Sequence, residues 1–82
     1  MITTHQKTPL SDLITGECAT IVSIGHGFGI SHRLSSLGFT PGAEVVMVQN
    51  IGHGPLVVNV RGTRVALGRH ESRCVLVQRN IE

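Results

Sequence analysis

Hydrophobic and polar positions along the 82-residue chain fall into short segments whose period changes once. Residues 17–24 carry Cys-Ala-Thr-Ile-Val-Ser-Ile, a β-type run stopped by the glycine-rich Gly25-His-Gly-Phe-Gly29. Over residues 30–37 the period becomes helical, because Ile30, Leu34 and Leu37 stand at i, i+4 and i+7. Gly38 follows as the C-terminal cap of that helix, and Ser31 or Gly29 is its N-cap. After the turn signal Thr40-Pro41-Gly42 the segments are again short and β-branched, and glycines separate most of them: residues 44–50, 56–61, 64–67 and 73–79. Leu56, Val58 and Val60 share one face of their strand, and Val57, Asn59 and Arg61 share the other. Arg61-Gly62-Thr63-Arg64 is the hairpin turn between two of these strands. Ahead of the first strand, Leu10 and Leu13 form a packed lead-in, and residues 1–9 are polar and expected to be loose.

The elements predict a mainly β domain over residues 10–82, with about five strands curled into a closed sheet and one short helix between the first and second strands. Composition agrees. Hydrophobic residues are 40% of the chain and charged ones 15%, too apolar for disorder. Trp and Tyr are absent and only Phe28 and Phe39 are aromatic, so Val, Ile and Leu must fill the core, which favours strands. No apolar run approaches the roughly 18 residues of a membrane span, so direct membrane insertion is not expected. Cys18 and Cys74, with no apolar leader after Met1, read as reduced thiols of a cytoplasmic protein.

Candidate chemistry is sparse. The chain has no phosphate-binding Gly-Lys loop, no His-Glu-x-x-His, no Cys-x-x-Cys and no Gly-x-Ser-x-Gly, and its carboxylates are scattered, so no enzyme activity is expected. Among its five histidines, His26, His32, His53 and His70 are the candidate metal ligands, but they lack the paired spacing of a tetrahedral site. No cofactor is expected, and weak divalent-metal binding is one alternative reading. Arg61, Arg64, Arg69, Arg73 and Arg79 make the C-terminal quarter basic within a net charge of +2. Nucleic-acid binding through these arginines is a further alternative. Neither Phe stands among them to stack on bases, which disfavours it. Apolar residues on both faces of residues 45–48 leave oligomerisation open.

The order of Leu10 and Leu13, Gly16, Arg33-Leu34, Leu37-Gly38, Pro41-Gly42, Gly54-Pro55, Gly62, Ala66-Leu67 and Val75-x-Val77 resembles the FeoA family over residues 10–79. Gly68, where a basic residue often stands, and Ser72, where a small apolar residue is usual, depart from the pattern. The resemblance implies an SH3-like β-barrel and a cytoplasmic accessory protein of bacterial ferrous iron uptake. Its implied partner is the cytosolic domain of the FeoB-type GTP-binding permease, which would hold the protein at the inner membrane indirectly. The same module occurs in iron-dependent repressors, which makes a transcription-linked role an alternative. The surface expected to dock centres on Arg33, with Phe39, Arg64 and Arg69 as neighbours, while Leu34, Leu37, Gly38, Pro41 and Gly42 build the helix and turn beneath it.

Overall fold

A computed structural model describes residues 7–25 and 30–80, with side chains for all of these but residues 30 and 31. The strands are β1 (Lys7–Pro9), β2 (Cys18–Ile24), β3 (Glu44–Gln49), β4 (Leu56–Val60), β5 (Thr63–Leu67) and β6 (Val75–Arg79). Two helices, α1 (Ile30–Ser36) and α2 (Arg69–Arg73), join them, and a 3-10 turn spans Leu10–Asp12. The sheet is antiparallel in the order β1-β6-β2-β3-β4-β5.

Strand alternation sorts the side chains as the period of two requires. Ala19 and Ile21, Val45 and Met47, Leu56, Val58 and Val60, Val65 and Leu67, and Val75 and Val77 are buried on the inner face. Leu10 and Leu13 close one end of this core and Leu34 with Phe39 contributes from the helical side. The registers slip between Ile21 and Ser23 on β2 and between Met47 and Gln49 on β3. Such irregularities bend the strands and curl the sheet around a small interior.

Three features differ from the expectation. First, residues 7–9 of the segment expected to be loose form an edge strand, Lys7, Thr8 and Pro9 standing opposite Gln78, Val77 and Leu76. Their polar, non-alternating sequence carries no strand signal, and pairing with β6 imposes the extended form; Pro9 fits because it lies on an edge. Second, β1 and β5 do not pair with each other, so the ladder is a curled six-stranded sheet and not a closed one. Third, the segment expected to be a strand from residue 73 starts instead with α2, and β6 begins at Val75. Gly68, extended at φ −67° and ψ 156°, is the N-cap of α2. The Glu71 carboxylate accepts a hydrogen bond from the Gly68 N–H at 3.3 Å. Ser72 is fully buried and donates its hydroxyl to the Arg69 carbonyl at 2.7 Å. Both departures from the family pattern thus belong to this helix, Gly68 as its N-cap and Ser72 within it.

Candidate docking surface

Helix α1 is set on the sheet by its apolar stripe: Leu34 is fully buried and Leu37 packs partly against the core. The chain then reverses at Gly38, whose φ is +102°. A side chain is strained there, and a Cβ would also stand 3.2 Å from Cδ of Arg61. Arg61 itself, at φ 49° in the two-residue turn between β4 and β5, reaches back across the gap. Its Nε donates to the Gly38 carbonyl at 3.2 Å and its Nη2 to the Thr40 hydroxyl at 2.8 Å. This clasp ties the end of α1 to the hairpin. Pro41 and Gly42 (φ +90°) occupy the middle of the next turn, closed by the Ala43 N–H on the Thr40 carbonyl at 2.9 Å.

Arg33 is exposed on α1, with 54% of its side chain open to solvent, and it forms an ion pair with Glu71 of α2. Glu71 therefore has two tasks, one oxygen on Arg33 and the other on the N–H of Gly68. Arg64 is exposed on the edge strand β5. The other two residues expected at the surface are corrected. Phe39 is completely buried, because the reversal at Gly38 turns it under the helix. Arg69 is half-buried and donates to Oδ1 of Asn50 at 3.0 Å. The structure leaves Arg33 and Arg64 as the exposed part of the four.

Asn50, which the sequence pattern did not single out, organises the opposite end. Its Nδ2 donates to the carbonyls of Ser11 and Leu13 at 3.1 and 2.6 Å, and its Oδ1 accepts from Gly52 N–H at 3.0 Å as well as from Arg69. The Asn50 N–H donates to the Thr15 hydroxyl at 3.0 Å. An Asn two residues before Gly in a loop is the available signal for such a turn. Ile14 and Ile51, on the two loops joined here, are exposed.

Of the candidate metal ligands, His32, His53 and His70 are exposed and His26 lies outside the described residues, as do His5 and the expected N-cap Gly29. The side chain of Ser31, the other N-cap candidate, is likewise outside them. Among the described residues no three His, Cys, Asp or Glu side chains come together as a metal site. Cys18 and Cys74 are free thiols. A shallow cleft of about 370 Å³ on the sheet lies between Gly42, Glu44, Val46, Asn59 and Arg61. Among the described residues no helix is long and apolar enough to cross a membrane.

A curled antiparallel sheet with a helix between its second and third strands defines a small SH3-like domain. The FeoA domain model matches residues 8–79, and the chain belongs to the FeoA family. Among solved structures, the chain is similar to an iron uptake regulatory protein (FeoA), at 31% identity and a TM-score of 0.84, over 90% of this chain and 99% of that one. It is also similar to the FeoA of Stenotrophomonas maltophilia, described as an SH3 domain protein and solved with zinc, at 38% identity and a TM-score of 0.76, over 83% and 86% of the two chains. A manganese-dependent transcriptional repressor shares the fold at 16% identity and a TM-score of 0.82, over 96% of this chain and 45% of that one. No curated protein sequence matches the chain.

Proposed function

We propose that this protein is an accessory factor of ferrous iron uptake that binds the cytosolic domain of a FeoB-type GTP-binding permease. Membership of the FeoA family supports the pathway, and one such relative is described as a ferrous iron transport activating factor in qualified terms. The observation that carries the docking surface is Arg33: a cation on the exposed side of a short helix packed on the sheet through Leu34, its position fixed by Glu71 on one side and by the Arg61 clasp at the helix end. Such a preorganised, exposed guanidinium suits an acidic site on a partner, because little side-chain freedom is left to lose on binding. Arg64 is the second contact. The fit is to protein recognition by a few charges and does not require a metal or a catalytic group.

The test is calorimetric titration of the purified permease cytosolic domain with three forms of the protein. Arg33→Glu alone faces Glu71 with a like charge, so it is accompanied by the exchange Arg33→Glu with Glu71→Arg, which keeps an internal ion pair but gives up the Glu71 bond to Gly68 N–H, and circular dichroism checks that each variant is folded. Both variants are expected to remain folded and to lose binding at least about tenfold, as truncation of an interface hot spot does. Wild-type affinity in the folded double variant overturns the assignment of Arg33.

A further inference from the structure

We propose that His70 and Cys74 form a two-ligand site for a borderline-soft divalent cation on the outer face of α2. Four residues separate them, and the helical conformation runs through Cys74, whose φ of −84° and ψ of −9° are those of the right-handed helix. At about 100° per residue the two side chains stand roughly 40° apart, and each is about 160° from Ser72. Ser72 is the residue that α2 buries completely. The core-facing side of the helix is thus fixed, and His70 and Cys74 share the opposite side, where Cys74 is bordered by Gly25 after β2, whose N–H donates to the Cys74 carbonyl at 2.6 Å. His70 is exposed and Cys74 half-buried.

A second observation concerns the thiol itself. Its sulfur lies 3.6 Å from the His70 carbonyl oxygen, to which it donates a weak hydrogen bond, so the side chain folds back along the helix toward residue 70. The sulfur thus stands over the turn that carries His70, whose side chain has no partner among the described residues. Groups on one helix face at this separation have Cβ atoms about 5–6 Å apart. A cation bridging them at about 2.0–2.1 Å from nitrogen and about 2.3 Å from sulfur fits that separation. On binding, the thiol gives up its proton to solvent as the metal–sulfur bond forms. Imidazole with thiolate selects zinc, cobalt or ferrous iron over magnesium or calcium. Two protein ligands leave the remaining positions to water. Among the described residues the neighbouring charges do not supply a third: Glu71 is engaged by Arg33 and Gly68, and Arg73 is a cation.

Cobalt(II) titration of Cys18→Ser protein, in which Cys74 is the single thiol, tests the site under reducing, anaerobic conditions. The expected result is one bound ion per chain with a thiolate-to-cobalt charge-transfer band, displaced by zinc. Two tethered ligands exceed one alone by about 10²–10⁴-fold, so His70→Ala should weaken binding on the order of a hundredfold, and Cys74→Ser should abolish the band. Circular dichroism establishes that each variant is folded. Absence of the band overturns the proposal. So does a band whose strength and affinity are unchanged by His70→Ala.

Discussion

Replacing Asn50 by Ala removes the side chain that holds the 3-10 lead-in, the loop after β3 and α2 together, and the cost follows from its bonds. Four side-chain hydrogen bonds are lost, to Ser11, Leu13, Gly52 and Arg69. A neutral intramolecular hydrogen bond contributes about 0.5–1.5 kcal/mol net, and one to a charged group about 1.5–3 kcal/mol. Simple addition gives roughly 3–7 kcal/mol. Gly52 is exposed and Arg69 half-buried, so water recovers part of their loss. The carbonyls of Ser11 and Leu13 are less easily rehydrated beside the buried Leu10 and Leu13 side chains. We expect a destabilisation of about 2–4 kcal/mol. For a domain of this size the total is on the order of 4–12 kcal/mol, so the change is large. With a urea m-value of about 1 kcal/mol/M, the midpoint falls by about 2 M or more. Far-ultraviolet circular dichroism is the readout of choice, because the chain has no Trp or Tyr for intrinsic fluorescence. Asn50→Asp separates the two halves of the network: it keeps both acceptor bonds and strengthens the one to Arg69, but it sets a carboxylate oxygen against two carbonyls. It should lie below wild type. A midpoint for Asn50→Ala within about 0.5 M of wild type would refute the reasoning.

Two further predictions concern the helix and its exit. Gly38→Ala should cost about 1–2 kcal/mol from the left-handed backbone alone, with an added contribution from the Arg61 contact; in an Arg61→Ala background the added contribution should vanish, which paired denaturation curves measure. Phe39→Ala should cost about 3–5 kcal/mol, enough to leave the chain close to its unfolding threshold. A dispersed, wild-type-like amide spectrum and unchanged midpoint for Phe39→Ala would contradict the burial assigned to that ring.

How much was legible in the sequence varies with the length scale of the cause. Helix α1 was readable because Leu34 and Leu37 repeat at helical spacing and Gly38 marks the stop, all within nine residues. Strands β4 and β5 were readable because Leu56, Val58 and Val60 alternate and Arg61-Gly62 supplies the turn. Strand β1 was not, since Lys7-Thr8-Pro9 is extended only by virtue of β6, some seventy residues away. Helix α2 was hidden by its length: five residues show no period, and its signals are a glycine and a glutamate three positions on. The same distinction runs through the site. Arg33 precedes Leu34 on a helix whose buried side is known, so its exposure was predictable. Phe39 and Arg69 sit beside turns, where one φ value decides whether a side chain faces water or the core. Sequence proximity to Arg33 placed Phe39 on the wrong side.

The arginines show why the charge count overstated the basic face. Five of the seven cationic side chains lie in the C-terminal quarter. Arg61 is engaged with Gly38 and Thr40, Arg69 with Asn50, and Arg79 with the Glu17 carboxylate at 2.8 Å and the Asp12 carbonyl at 3.1 Å. Those three hold loops together. Arg64 and Arg73 are exposed without a partner among the described residues, and Arg33 is exposed with its charge balanced by Glu71. A nucleic-acid binder that neutralises many phosphates draws its affinity from a corresponding number of free cations. Lys7, Arg64 and Arg73, with one ion pair at Arg33, fall short of that. They suit recognition of a protein surface on which a few acidic side chains, placed to match, can reach the open side of Arg33 while Glu71 holds it in place. Because the Glu71 carboxylate that holds Arg33 also caps α2, an acidic group brought to Arg33 alters the charge at the start of the helix that carries His70 and Cys74. The proposed docking helix and the proposed cation site are therefore joined through one residue, Glu71, and a measured change in cation affinity on adding the permease domain would report that connection directly.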